Sequence, residues 1–304
     1  MYDIIVIGGG PAGLTAAVYA CRAGKSVLIV EKETAGGQIT FSPLVENIPG
    51  FASVSGVEFA DKLVDQALSQ GTEMDFAEVT AVEDHGTYKT VVMDGGERTE
   101  DAKAVIIATG AKHRKLGLAR EEEFIGNGIS FCAVCDGAFY KDQTVGMVGG
   151  GNSALVEAVL LADIVKKLYI FQDLPQLTGE KKLQDALYAK DNVEVICGVH
   201  VKEYLGDSEF KGVVIEDAAG VRTRYDLDGL FVAIGLVPQN EAFTNVIALN
   251  PWGYADVNEF CKSTTPGVFV AGDCRSKFIR QVATAAADGA VAALAACDYV
   301  DGRG

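Results

Sequence analysis

Short apolar runs rich in Ile and Val alternate with stretches of helical period, and this order occurs twice along the chain. Residues 2–7 and 26–30 are near-continuous apolar runs, and residues 11–23 between them carry an amphipathic helical pattern. The first run is joined to the helix by GGGPAG at 8–13. Strand, glycine turn, helix and strand in that order predict a β-α-β unit, because a parallel strand covered on both faces reads as an unbroken apolar run. The same order returns with the run 144–148, GGGNSA at 149–154, a helical stretch at 152–162 and a run at 167–171. Each unit continues into β-like alternation, near 77–99 and 199–225, and then into an apolar run ending in glycine at 104–110 and 229–235. A final segment repeats neither unit: a run at 267–273, then Arg280 and Gln281, then an alanine-rich helix over 282–299. The pattern predicts an α/β protein with two Rossmann-like three-layer dinucleotide-binding domains, the second inserted into the first. The first domain is expected at 1–112 and 242–304, the second at 113–241.

Composition narrows the partners. A chain of 304 residues suits two domains of ordinary size. No apolar stretch reaches the roughly 18 residues of a membrane helix, so no membrane role is expected. With 42 acidic and 26 basic residues the net charge is −16, a field that repels phosphate backbones, so nucleic acid is not an expected partner. The strand-like start, with no basic leader region ahead of it, points to a cytoplasmic protein. Seven cysteines fall at 21, 132, 135, 197, 261, 274 and 297, and only Cys132 and Cys135 form a close pair. An odd number with one pair does not read as a secreted disulfide framework. A zinc site would need two further ligands, and the three histidines at 85, 113 and 200 supply no spaced pair, so no metal is expected. The other cysteines read as small buried hydrophobes. Cys274, beside Asp273, is left open.

The chemistry lies in three places. Gly8, Gly10 and Gly13 form the glycine turn of a β-α-β nucleotide unit, and Glu31, 18 residues past Gly13, can accept ribose hydroxyls. In the second unit Gly149, Gly151, Asn152 and Ser153 occupy the corresponding loop. There a glycine turn that merely joins strand to helix is the competing reading. The short run ending in Gly272 and Asp273 can aim backbone donors and a carboxylate at a cofactor, completing the first site. At CxxC spacing one thiol attacks a disulfide and the other resolves the mixed disulfide. Asp136 would raise rather than lower a neighbouring thiol pKa, so acid/base work suits it better than thiolate stabilisation; capping a local helix is its alternative role.

These parts, with GGQI at 36–39, VENIPGF at 45–51, ATGA at 108–111, CAVCDG at 132–137 and AGD at 271–273, resemble the low-molecular-weight thioredoxin reductases of the two-domain flavoprotein disulfide reductase class. The resemblance covers nearly the whole chain. It implies FAD in the first domain, held by Gly8, Gly10, Pro11, Ala12, Gly13, Glu31, Lys32, Gly36, Gly37 and Gln38, with Thr109 and Gly110 nearby. Asn47 would lie near the isoalloxazine, Gly272 and Asp273 would meet the ribitol or pyrophosphate, and Arg280, Gln281 and Val282 would meet the ring. It further implies that Cys132 and Cys135 cycle between disulfide and dithiol, with Cys135 facing the flavin, Cys132 attacking thioredoxin or a thioredoxin-like protein, and Asp136 handling the proton. A homodimer is implied as well.

One departure from that family stands out. Members that use NADPH follow the second nucleotide strand with HRRxxxR, whose arginines grip the 2′-phosphate. Here the run 171–177 reads FQDLPQL, with Gln172 23 residues after Gly149 just as Glu31 is 23 after Gly8. A dianionic phosphate needs a cationic fork, and Asp173 repels it. Lys181 and Lys182 on the following helix are the remaining cations. The donor is therefore open between NADH, NADPH and a protein such as reduced ferredoxin. Two other readings of the same parts are an FAD-dependent small-molecule dithiol oxidase and a non-catalytic redox-sensing flavoprotein.

Overall fold

The computed structural model describes residues 1–42 and 44–303. The chain divides into two compact units, one of Met1–Lys112 with Val237–Gly304 and one of His113–Leu236. The return to the first unit falls at 236/237, five residues before the 241/242 expected from sequence. The apolar run ending at Gly235 breaks off as a strand at Val232, and Leu236–Pro238 forms a separate short strand of its own.

In the first unit Tyr2–Ile7 lies between Val27–Glu31 and Arg98–Ile107, parallel to both. Glu73–Phe76 extends the sheet beyond Val27–Glu31. Arg98–Ile107 serves two purposes along its length: residues 98–102 pair antiparallel with Lys89–Met93, and residues 105–107 pair parallel with Val268–Val270. One face of the sheet is covered by the helices Pro11–Arg22 and Val282–Val300, whose Ala12, Ala16, Ala17 and Ala20 pack with Ala285, Ala292, Ala293 and Ala296. Small residues let these helices approach closely, and a Cβ on Gly289 would stand 2.1 Å from the Ala12 carbonyl oxygen. The opposite face packs Ile5, Ile7, Val105 and Ile107 against Val82, Val91, Phe243 and Val246.

The second unit holds a five-stranded parallel sheet in the order Val193–Cys197, Lys167–Gln172, Thr144–Val148, Gly229–Val232, Ile129–Ser130. Val145, Met147, Leu168 and Ile170 meet the helix Asn152–Ala162 through Leu155, Ala158 and Leu161. Val148, Phe171, Leu230 and Val232 face the other way, onto Val201, Tyr204, Val213 and Ile215. The latter belong to an antiparallel sheet of Val199–Leu205, Gly212–Asp217 and Arg222–Asp226. Three layers result, α/β/β. Among the described residues no helix is long and apolar enough to cross a membrane.

His113 stacks on Phe131 with ring centroids 4.8 Å apart, and burial lowers its pKa from 6.5 to about 4. Below pH 6.5 the unfolded chain binds a proton here that the folded chain refuses until about pH 4. Stability is therefore lost as pH falls through that window, by about 3 kcal/mol at its lower end. Asp136 and Glu157, whose pKa values burial raises, act in the opposite sense. His113→Phe is expected to flatten the acid-side fall of the thermal midpoint relative to the parent protein. Parallel curves for the two proteins between pH 6.5 and 4 would refute this.

Candidate functional site

In the first unit three adjacent parallel strands deliver their C-terminal ends to one edge. Gly8 follows Ile7, Thr109 lies two residues past Ile107, and Gly272 lies two past Val270. Such an edge is where open α/β sheets bind ligands. Gly8 has φ +109°, and a Cβ on it would meet the Ala108 oxygen at 2.4 Å. A Cβ on Gly13 would meet the Gly8 oxygen at 1.9 Å. Both glycines serve the packing of helix on strand. Gly10 differs, because its Cβ would find only the Gly37 Cα, at 4.0 Å. Its missing side chain leaves space for something other than protein. Gly10 also N-caps Pro11–Arg22 without a side-chain hydrogen bond, so the first-turn N–H groups are left for a ligand such as a phosphate. Pro11 at the start of the helix has no N–H to satisfy.

Glu31 ends its strand with one oxygen accepting from the Gly9 N–H at 2.6 Å and the other from the Glu33 N–H at 2.8 Å. Each oxygen keeps a lone pair for a hydroxyl. Gly36 donates to the Gly9 carbonyl at 2.7 Å, which lays the segment 36–38 beside the glycine loop. Thr109 Oγ1 is buried with no hydrogen-bond partner. Asp273 is half-buried, its Oδ1 shielded from solvent and facing Lys277 Nζ at 3.3 Å as an ion pair; desolvation raises its pKa, against Lys277. Buried oxygens short of hydrogen-bond partners are costly, and both fit the hydroxyl groups of a flavin dinucleotide. Asn47 Nδ2 donates to Gln281 Oε1 at 3.2 Å across 234 residues of sequence. Val282 packs with Val45, Val54 and Ile48. Arg280 lies over the Tyr254 ring at 4.2 Å. Lys32 pairs with Glu78 at 2.6 Å. Cys274, left open by sequence, is fully buried with its Sγ 3.3 Å from the Ala271 oxygen and its pKa raised by burial, so it is an inert packing thiol.

In the second unit Gly149 follows Val148 and the Cys132–Cys135 disulfide follows Ile129–Ser130, with Gly229–Val232 between the two strands. Nucleotide loop and dithiol thus share the carboxyl edge of one sheet. Cys132 N-caps the one-turn helix Ala133–Asp136, and its Sγ accepts from the Cys135 N–H at 3.2 Å. Asp136 does not cap that turn. Its Oδ2 instead accepts from the Ser130 hydroxyl at 2.6 Å, while Oδ1 is buried without a partner. Burial raises the Asp136 pKa against that hydrogen bond. Ser130 and Glu157 were not singled out from sequence, yet both touch this turn. Glu157 is the only charged residue in the otherwise apolar and neutral helix Asn152–Ala162, and that was the legible signal.

The second glycine loop repeats the first in outline. Gly149 has φ +129° with a Cβ that would meet the Ala233 oxygen at 2.5 Å, and a Cβ on Gly151 would meet only Thr178 Oγ1, at 3.9 Å. Asn152 accepts from the Glu180 N–H at 2.7 Å. Gln172 takes the place that Glu31 has in the first unit, buried against Gly150, whose Cβ would lie 2.6 Å from its amide carbon. Asp173 is exposed, and Lys181 is paired with Asp185 at 2.8 Å.

A sheet edge shaped for a flavin dinucleotide, a second glycine loop and a disulfide beside it define a flavoprotein dithiol oxidoreductase. The family model for pyridine nucleotide-disulphide oxidoreductases matches residues 2–289, and the chain belongs to that family. Thioredoxin reductase from Listeria monocytogenes is 40% identical over 303 residues, covering 99% of this chain and 94% of that protein. The 34.2 kDa protein in the rubredoxin operon of Clostridium pasteurianum is 40% identical over 307 residues, covering 99% and 98%. The crystal structure of thioredoxin reductase from Streptococcus pyogenes superposes with a TM-score of 0.94 at 38% identity, covering 99% of both chains. The protein is an FAD-dependent oxidoreductase.

Proposed function

We propose that this chain is a thioredoxin-disulfide reductase that draws electrons from NADH in preference to NADPH. The observation that carries the reaction is the disulfide placed at the same sheet edge as the nucleotide loop, with a half-buried carboxylate one residue beyond it. Bound FAD supplies two-electron transfer from the nicotinamide to the Cys132–Cys135 disulfide. The reduced pair then works by exchange. Cys132 Sγ attacks one sulfur of the partner's disulfide, the S–S bond breaks, and the departing partner sulfur takes a proton. Asp136 is suited to give it, since burial favours its protonated form and Oδ1 has no other partner. Cys135 then attacks Cys132, releasing the second partner thiol and restoring the disulfide. The Cys135 N–H at Cys132 Sγ stabilises charge on the attacking sulfur, which supports this assignment of roles.

The preference for NADH rests on the second loop. Gln172 brings a neutral amide and Asp173 a negative charge to the place where a 2′-phosphate would lie, and an unmodified ribose needs no cation there. Anaerobic titration of the holoprotein with each nucleotide, following flavin absorbance, tests it. NADH is expected to bleach the flavin with at least about tenfold greater efficiency than NADPH. Equal or reversed efficiency rejects the preference, and a flavin bleached only by reduced ferredoxin rejects nicotinamide as donor. Cytoplasmic residence, which keeps a dithiol in use, and a homodimer complete the reading. Light scattering on the purified protein measures the assembly.

A further inference from the structure

Glu157 is a half-buried carboxylate that the exchange steps do not use. Its Oε2 accepts a hydrogen bond of 2.7 Å from the Ala133 N–H, the backbone donor next to Cys132. Burial raises its pKa and the Ala133 N–H lowers it. In the same turn the Asp136 N–H is taken by the Cys132 carbonyl oxygen at 3.0 Å and the Cys132 N–H by Ser130 Oγ at 3.1 Å. The Cys135 N–H is the donor that reaches Cys132 Sγ. We propose that Glu157 is a positioning residue for the dithiol: it clamps the Cys132–Cys135 turn to the nucleotide-loop helix, and its charge beside Cys132 disfavours a standing thiolate and keeps the pair reducing.

The physical basis is a competition around one sulfur. A thiolate is stabilised by N–H donors and destabilised by a nearby carboxylate in a site of low dielectric. Glu157 does both harms, removing the adjacent donor and adding like charge. A thiolate made less stable raises the free energy of the reduced pair, so electrons leave more readily toward a partner disulfide. The titratable groups on the elements packed around the turn are few: Asp136 within it, Tyr140 on the following turn, and Glu157 on the Asn152–Ala162 helix. Asp136 and Tyr140 have raised pKa values from burial. No cation stands among these groups to offset Glu157.

The inference rests on the pair being redox-active, and the test separates the two. The holoprotein is reduced with excess dithiol reagent, and Cys132 alkylation is followed against pH by mass spectrometry of the peptide carrying both cysteines, for the parent protein, Glu157→Gln and Glu157→Ala. Glutamine keeps an acceptor for the Ala133 N–H but not the charge. Glu157→Gln is expected to speed Cys132 alkylation at pH 7 by about tenfold, with the pH midpoint lower by about one unit. Near that midpoint, equilibration in thiol buffers should shift about tenfold toward dithiol, about 30 mV. A Gln variant with the parent profile while Ala alone departs would reduce Glu157 to a structural clamp and overturn the proposal. A parent pair that never becomes alkylable would instead overturn the redox reading of Cys132 and Cys135.

Discussion

Cys132→Ser and Cys135→Ser are each expected to lose thioredoxin reduction, by at least about a thousandfold, while the purified proteins keep their flavin. Neither serine can replace a sulfur that must form and break S–S bonds, so the loss is one of chemistry rather than of fold. Flavin is retained because its proposed contacts lie in Met1–Lys112 and Val237–Gly304, and both cysteines lie in His113–Leu236. The two variants also fail differently. Cys135→Ser leaves the attacking thiol without its resolving partner, so a mixed disulfide with thioredoxin accumulates and appears on a non-reducing gel. Cys132→Ser leaves no attacking thiol and gives no adduct. An adduct with Cys132→Ser instead would exchange the roles, and parent-like turnover in either variant would refute the dithiol mechanism.

Gly10→Val is expected to yield a folded protein that has lost FAD, whereas Gly13→Ala is expected to damage the fold itself. The contrast follows from what each new Cβ meets. At Gly13 it would stand 1.9 Å from a backbone oxygen and 3.2 Å from Val6 Cγ1, so the helix must shift off its strand. A cost of about 2–4 kcal/mol is expected, read as a lower thermal midpoint with or without cofactor. At Gly10 the backbone is extended, with φ −80° and ψ −177°, and the Cβ meets nothing closer than 4.0 Å. Apo Gly10→Val should therefore melt near the parent apoprotein, yet bind FAD at least about a hundredfold more weakly because the side chain fills the pyrophosphate approach. Stoichiometric flavin with parent affinity in Gly10→Val would remove the loop from the cofactor site.

Much of this molecule is legible residue by residue. Runs of Ile and Val at 2–7 and 144–148, each followed by glycine and a helical period, specify β-α-β units because the buried pattern and the turn chemistry are local properties. The Cys132–Cys135 spacing is local in the same way, as is the missing arginine fork at 171–177. Asp136 has two local readings, cap and acid, and packing turns its carboxyl to the Ser130 hydroxyl and not to the cap.

What sequence could not state are the meetings between distant segments. Asn47 finds Gln281, Glu157 finds the Ala133 N–H, and Cys274 disappears beneath Ile107 and Ala271. The exit from the second unit falls at 236/237 and not at 241/242. Periodicity reports which face of a segment is buried but not against what, and hydrogen-bond partners are fixed only when sheet order and helix packing bring the faces together. The two nucleotide units and the dithiol were thus written in the chain, whereas tertiary structure alone decided which carboxylates stand beside the sulfur, because burial and desolvation are properties of the assembled fold.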